Sequence, residues 1–333
     1  MFFGEILSLV VALSWTVTAL FAEVGSKRIG SLPFNAIRMT LSLLFLALTL
    51  WLVMGAPYPR FADAGTWLWL LLSGVVGYVV GDYCLMQGYI IIGSRFGQLF
   101  MTLSAPTAAL LGRLFIGEAM RPLAVVGMFV TLGGIALSVL SKQDPSADAP
   151  SASRHAQWHL RLPPKGVFFA AMAGICQGAG LVLSKIGLQC YDDALAAQGI
   201  TSDMVPDGAL LSLPLSFSIP FASTMIRGTI GLVGFLLLLL LFSKEGPRQL
   251  RQALGDRKAL RCAFFSMLFG PFVGVSLSLM ATQYTATGIA QTIFALTPVL
   301  IIAPAAWLFH QRVTLREVLG AIVSVVGVCL FFI

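Results

Sequence analysis

Residues 97–106, GQLFMTLSAP, and residues 290–298, AQTIFALTP, each place a glutamine in an apolar run, with a proline no more than eight positions on. Gln98 and Gln291 are 193 positions apart, and the same shift lays residues 77–140 on residues 270–333. Only ten of those 64 positions are identical, but the identities fall where backbone geometry is decided. Gly77 and Gly81 meet Gly270 and Gly274, and Gly127 and Gly134 meet Gly320 and Gly327. Small residues four or seven apart share a helix face and let two backbones approach closely. Upstream, FAEVG (21–25) aligns with LSKIG (183–187) and AIR (36–38) with MIR (225–227), at smaller shifts. The growing shift marks an insertion at 188–219. The chain reads as a duplicated unit.

The solvent of that unit is lipid. The chain is 58% hydrophobic and 11% charged, with mean hydropathy +0.90. A soluble domain is about a quarter charged, and no water-soluble fold of this length hides so much apolar surface. The apolar runs are continuous and about 20 residues long, which predicts helices rather than a β-barrel. The fold class expected is an all-α integral membrane protein of ten transmembrane helices. The spans fall near 4–24, 33–54, 66–90, 96–116, 122–140, 165–187, 220–242, 260–283, 286–309 and 315–333. Residues 1–140 form the first five-helix unit and 165–333 the second, joined by a linker at 141–164 rich in Ser, Ala, Pro and charge. Residues 188–219 read as a short surface helix or a disordered loop. Five spans is an odd number, so the second unit enters the membrane from the opposite side, and inverted repeats bring a binding site to the bilayer midplane.

The first ten residues carry Glu5 and no Lys or Arg, so the first apolar run reads as a retained span rather than a secretory signal. Fifteen of the 21 Lys and Arg fall in loops after odd-numbered spans, which the positive-inside rule makes cytoplasmic, leaving both termini outside. The net charge of +7 lies in loops and points to anionic headgroups, not nucleic acid. The five cysteines show no metal-ligand spacing and read as apolar fillers. No metal or cofactor is expected. No G-x-x-x-x-G-K-[ST] or H-E-x-x-H occurs, and His155, His159 and His310 all fall in loops. An enzyme is therefore not expected.

Several stretches resemble the drug/metabolite transporter superfamily, specifically its EamA-type ten-helix carriers. They are SWTVTALF (14–21), LPFNAIRMTLSLLFLAL (32–48), GQLFMTLSAPTAALLGRLFIGEAMRPLAVVGMFVTLGGIAL (97–137) and the run from Ser278 to Leu330. The pattern departs from the family where its Gly-Glu, present as Gly117-Glu118, becomes His310-Gln311, and where a lysine usual near the end of span 1 is Glu23. The resemblance implies two inverted repeats, cytoplasmic termini (opposite to the charge count) and alternating-access transport, mostly export, of a small organic metabolite across the cytoplasmic membrane. The alternative is a flippase for lipid carriers or lipid-linked sugars. The partners expected are a small polar substrate, amino-acid-like or similar, membrane lipid and a coupling proton.

Candidate site residues are the polar and aromatic groups at membrane depth. Asp82 in span 3 is the leading coupling group or substrate ligand, because a carboxylate in hydrocarbon is costly unless paired, protonated or facing water. Gln98 and Gln291 offer amides to a polar substrate. Trp15, Tyr83 and Tyr284, with Tyr78 and Tyr89, are candidates to stack on it, against an alternative role for all five in the interfacial belt. Glu23 and Lys185 hold equivalent places and opposite signs, a candidate charge pair or relay. Pro106 and Pro298 are candidate hinges. Arg38 and Arg227 read as interfacial anchors, with capture of a substrate carboxylate as the other reading.

Overall fold

Lipid offers no hydrogen-bond partners, so each crossing segment must close its own backbone bonds, and the chain does this with helices. The computed structural model describes residues 2–139, 163–242, 246–301 and 315–330, and among them there is no strand. Six helices are long and apolar enough to cross a membrane: Phe3–Ile29, Ser31–Met54, Ala64–Ser94, Pro164–Ala197, Leu215–Leu241 and Arg257–Tyr284. Shorter apolar helices cover Pro122–Leu137, Thr287–Leu300 and Val318–Cys329. Most of the 141–164 linker and the end of the ninth expected span lie outside the described residues, as do His155, His159, His310 and Gln311.

In chain order the elements are α1 (Phe3–Ile29), α2 (Ser31–Met54), α3 (Ala64–Gly74), α4 (Tyr83–Met101), α5 (Ser104–Phe115), α6 (Pro122–Val139) and α7 (Pro164–Ala197). There follow α8 (Leu215–Phe242), α9 (Gly246–Gly255), α10 (Arg257–Met267), α11 (Val273–Tyr284), α12 (Thr287–Phe294), α13 (Thr297–Leu300) and α14 (Leu315–Cys329). Two π-helical segments, Val75–Asp82 and Leu268–Phe272, bridge α3 to α4 and α10 to α11. They begin 193 residues apart. In the second, Pro271 has no N–H to give an α-helical bond, so the ladder must widen there. The turns Thr102-Leu103 and Ala295-Leu296, again 193 apart, interrupt the helices before Pro106 and Pro298. Pro298 cannot bond the Phe294 carbonyl one turn back, and the Thr297 hydroxyl takes that carbonyl instead at 2.8 Å.

The bundle reverses at positions that suit each turn. Asp63 caps α3 by accepting the Thr66 N–H at 2.8 Å. At Gly93 (φ 79°, ψ 164°) the chain takes a conformation closed to residues with a Cβ, which lets it turn into the next crossing without a loop. Helix α7 runs ten residues into the expected 188–219 insertion. Helix α7 continues to Ala197 because Tyr191 is fully buried and its hydroxyl donates to the Arg60 carbonyl. The remaining turn folds onto the end of α2, where Leu210 and Leu211 N–H groups share the Leu52 carbonyl at 2.9 Å. Leu44, Leu48 and Trp51, spaced one helical turn apart, are at least half exposed and form a lipid-facing stripe on α2.

Helices α6 and α14 pack through their glycines. A Cβ on Gly134 would sit 2.5 Å from the Ser324 N–H nitrogen, and one on Gly327 would sit 2.5 Å from that of Thr131. Thr131 Oγ1 donates to the Ser324 carbonyl at 3.4 Å, and Ser324 Oγ returns a bond to the Thr131 carbonyl at 3.3 Å. Thr131 and Ser324 are 193 apart, so the contact is reciprocal. Gly127 meets Gly327 while Gly134 meets Gly320, so partner numbers fall as chain numbers rise and the two helices lie antiparallel.

Candidate functional site

Residues of both π segments, Tyr78 and Asp82 of the first and Gly270 and Pro271 of the second, line one interior cavity. The cavity is about 60 Å³, room for several water molecules. Its wall includes Trp15 and Thr18 of α1, Arg38 of α2, Tyr78 and Asp82 of the first π segment, Gln98 of α4 and Gln291 of α12. Four of the six expected substrate groups therefore meet: Trp15, Asp82, Gln98 and Gln291.

Asp82 closes the first π segment and forms an ion pair with Nη2 of Arg38. Arg38 is only 2% exposed and Arg227 3%. Neither anchors at an interface, because α2 and α8 begin well before them and carry both guanidiniums inward. The Arg227 guanidinium lies 5.0 Å from the centre of the Tyr78 ring, a cation–π contact. Gln98 donates its amide to the Tyr89 hydroxyl, and Ser104 Oγ donates to the Gln291 carbonyl oxygen at 3.1 Å. Thr18 Oγ1, Arg38 Nε, Tyr78 Oη and Gln291 Nε2 are buried on the cavity wall without a protein partner, and each can donate a hydrogen bond. Trp15 meets Phe294 edge-on at 5.0 Å and supplies the apolar side.

The other expected site residues lie elsewhere. Tyr83 turns away from the cavity and packs edge-on against Phe169 at 6.2 Å, because it follows Asp82 on the helix and faces about 100° round. Tyr284 is 54% exposed and stacks edge-on with Phe3. Glu23 and Lys185 do not pair. Glu23 holds Lys27 at 2.6 Å and accepts the Ser94 N–H at 2.9 Å. Lys185 holds Glu118 at 2.5 Å, and Glu118 accepts the Thr287 N–H at 2.9 Å and its hydroxyl at 2.6 Å. Ser94 and Thr287 are 193 apart, so each carboxylate serves the start of an equivalent crossing. Burial raises the Glu118 carboxyl, but Lys185 and the Thr287 donors outweigh it and hold it below the ordinary carboxylate range. Pro106 and Pro298 follow the paired helix breaks and do not line the cavity.

Arg38 contributes more than the sequence suggested, and Tyr78 and Tyr89, read as substrate-stacking or belt residues, line the cavity. Tyr78 and Tyr89 are 4% and 1% exposed, which removes them from an interfacial belt. For Arg38 the signal was present, since AIR recurs as MIR, but an arginine near an expected span end gives no measure of depth.

Residues 2–140 and 208–333 match the model of the EamA-like transporter family. No curated protein matches the chain. A solved structure titled "Crystal structure of protein" has a similar fold, with TM-score 0.61 at 14% identity, over 98% of this chain and 95% of that one.

Proposed function

The chain belongs to the EamA-like transporter family, and we propose that it is a secondary transporter that moves a small polar organic molecule outward across the cytoplasmic membrane by alternating access. The observation that carries this reading is the cavity where Trp15, Asp82, Gln98 and Gln291 meet between the π segments. Unpaired donors in a dry interior are costly, and a polar substrate would satisfy them.

The architecture proposed is two inverted five-helix repeats. The antiparallel, reciprocal contact of α6 and α14 supports it, as do the π segments and helix breaks recurring at a shift of 193. In such a pair each half can tilt against the other about a fixed site. The paired breaks before Pro106 and Pro298 are the proposed bending points. Asp82 is the proposed coupling group: protonation would release Arg38, linking a proton to the state of the site.

The test is counterflow in proteoliposomes, with labelled amino acids and short organic acids as the panel. Wild-type protein is expected to exchange at least one of them. Gln98→Ala and Gln291→Ala should lower that exchange at least tenfold, and Asp82→Asn should flatten its pH dependence. No exchange of any panel member would count against the transporter reading, and an unchanged pH profile in Asp82→Asn would remove Asp82 from coupling.

A further inference from the structure

The two buried arginines hold matching places, but their surroundings do not match. Position 77 corresponds to 270, and each of these glycines lies beside the arginine of the other half, Gly77 closely and Gly270 at ordinary contact distance. A Cβ on Gly77 would lie 3.0 Å from Arg227 Nη2, and one on Gly270 would lie 3.8 Å from Arg38 Nη1. The correspondence fails at the counter-charge. Asp82 pairs with Arg38, and the residue 193 further on is Val275, which lines the same cavity. Val275 also sits beside Arg227's helix, since the neighbouring Ser276 donates to Thr224, one turn before Arg227, at 3.1 Å. Among the described residues Arg227 makes no ion pair and no side-chain hydrogen bond. Its Nε is buried without a partner, and its one polar contact is the Tyr78 ring.

Charge bookkeeping then leaves a surplus. Arg38 and Arg227 give +2 and Asp82 gives −1, a surplus of +1; Arg38 and Asp82 line the cavity, and Arg227 lies behind its wall, against the Tyr78 ring. Away from the cavity, Glu23 pairs with the half-exposed Lys27, Lys185 pairs with Glu118, and Glu5 accepts from the Thr285 hydroxyl. A buried charge without a partner is strongly disfavoured. The unpartnered groups on the wall, Thr18, Arg38 Nε, Tyr78 and the Gln291 amide, are all able to donate.

We propose, on the basis of the transporter reading, that the substrate is a small monocarboxylate of net negative charge. Its carboxylate takes the place that an aspartate at position 275 would fill, against Arg227 and the Tyr78 hydroxyl, and its apolar part lies towards Trp15 and Phe294. A surplus of one positive charge matches a single carboxylate better than a phosphate dianion. A zwitterionic amino acid would bring its own ammonium into a site already short of acceptors.

The experiment is thermal unfolding of the detergent-purified full chain, titrated with acid and amide pairs of equal shape: acetate and acetamide, butyrate and butyramide, phenylacetate and phenylacetamide. At least one acid should raise Tm by about 2–4 °C at roughly tenfold excess over its Kd. Its amide should not. Arg227→Gln and Val275→Asp should abolish the shift, while Arg227→Lys and the uncharged control Val275→Asn retain part of it. Without ligand, Val275→Asp should melt above Val275→Asn, because it supplies the missing counter-charge. Equal shifts by acids and amides, no shift by any acid, or an undiminished shift in Arg227→Gln would overturn the proposal. If Val275→Asp does not fold, the Arg227 pair decides. Thermal shift reads binding without transport, so its failure removes the substrate class and leaves the transporter reading to the counterflow assay.

Discussion

Glu118 shows how one carboxylate can hold two elements at once. It sits between α5 and α6, accepts both donors of Thr287 at the start of α12, and holds Lys185 of α7. Removing one partner of a mostly buried pair leaves the other charge stranded. Glu118→Ala should therefore cost about 2 kcal/mol, with Glu118→Gln milder because the amide oxygen still accepts from Thr287. A double-mutant cycle with Lys185→Met, read by thermal unfolding, should give strong coupling; additive losses would mean the pair does not interact. The acid response follows from the sign of the shift. The folded carboxyl titrates below its ordinary 4.5, so the pair's stabilisation is complete above that value and drains away as pH falls through the lower folded one. Wild type should lose Tm faster than Glu118→Gln as pH drops below about 4.5, and parallel curves would contradict this. The sequence singled out Lys185 but paired it with Glu23, its counterpart. In the proposed inverted repeat, counterparts would touch only on the symmetry axis, where the contact of Thr131 with Ser324 would put them. Glu23 and Lys185 do not meet, and each finds a nearer partner, Lys27 and Glu118.

Helix α6 offers a direct comparison between neighbouring glycines. Gly133 has nothing within 4 Å of an added Cβ, whereas Gly134 has the Ser324 backbone nitrogen at 2.5 Å and the Gly320 carbonyl oxygen at 2.8 Å. Alanine favours a helix over glycine by about 1 kcal/mol, so Gly133→Ala should be neutral or stabilising. Gly134→Ala forces two backbones apart and should cost about 1–3 kcal/mol net, and Gly327→Ala likewise against Thr131. Melting of the three variants checks this, and a harmless Gly134→Ala would mean that the helices are not held at this crossing. These glycines were legible in the sequence because close packing of backbones selects the residue without a side chain. The π segments were not. Their glycines look like ordinary packing glycines, and only Pro271 in the second removes a backbone donor. The depth of Arg38 depends on where α2 begins, and hydropathy places such boundaries only to within a few residues.

At the scale of the molecule, orientation in the bilayer is set by charge outside the helices. The face that carries Lys27 and Arg28 also carries α9, whose Arg248 and Arg251 are exposed while Ala253 is buried and Leu250 packs against the interior. Lys258 and Arg261 follow directly, exposed as well. A basic amphipathic helix at a membrane surface is drawn to the anionic cytoplasmic leaflet by about 1 kcal/mol per charge. The opposite face offers Arg60, engaged with the Met54 and Asp207 carbonyls at 2.8 and 3.0 Å, together with Arg113 and Arg121. That asymmetry predicts both termini outside the cytoplasm, against the orientation implied by family resemblance. Fusions after residue 333 decide between them: alkaline phosphatase should be active and a fluorescent protein dark. Replacing Arg248, Arg251, Arg257, Lys258 and Arg261 with glutamine should then weaken the bias and produce a mixed population. Bright fluorescence with an inactive phosphatase in the unmodified chain would show that loop charge does not set its orientation. The basic face would then meet the outer leaflet, and the outward direction proposed for transport would have to be argued from the substrate gradient alone.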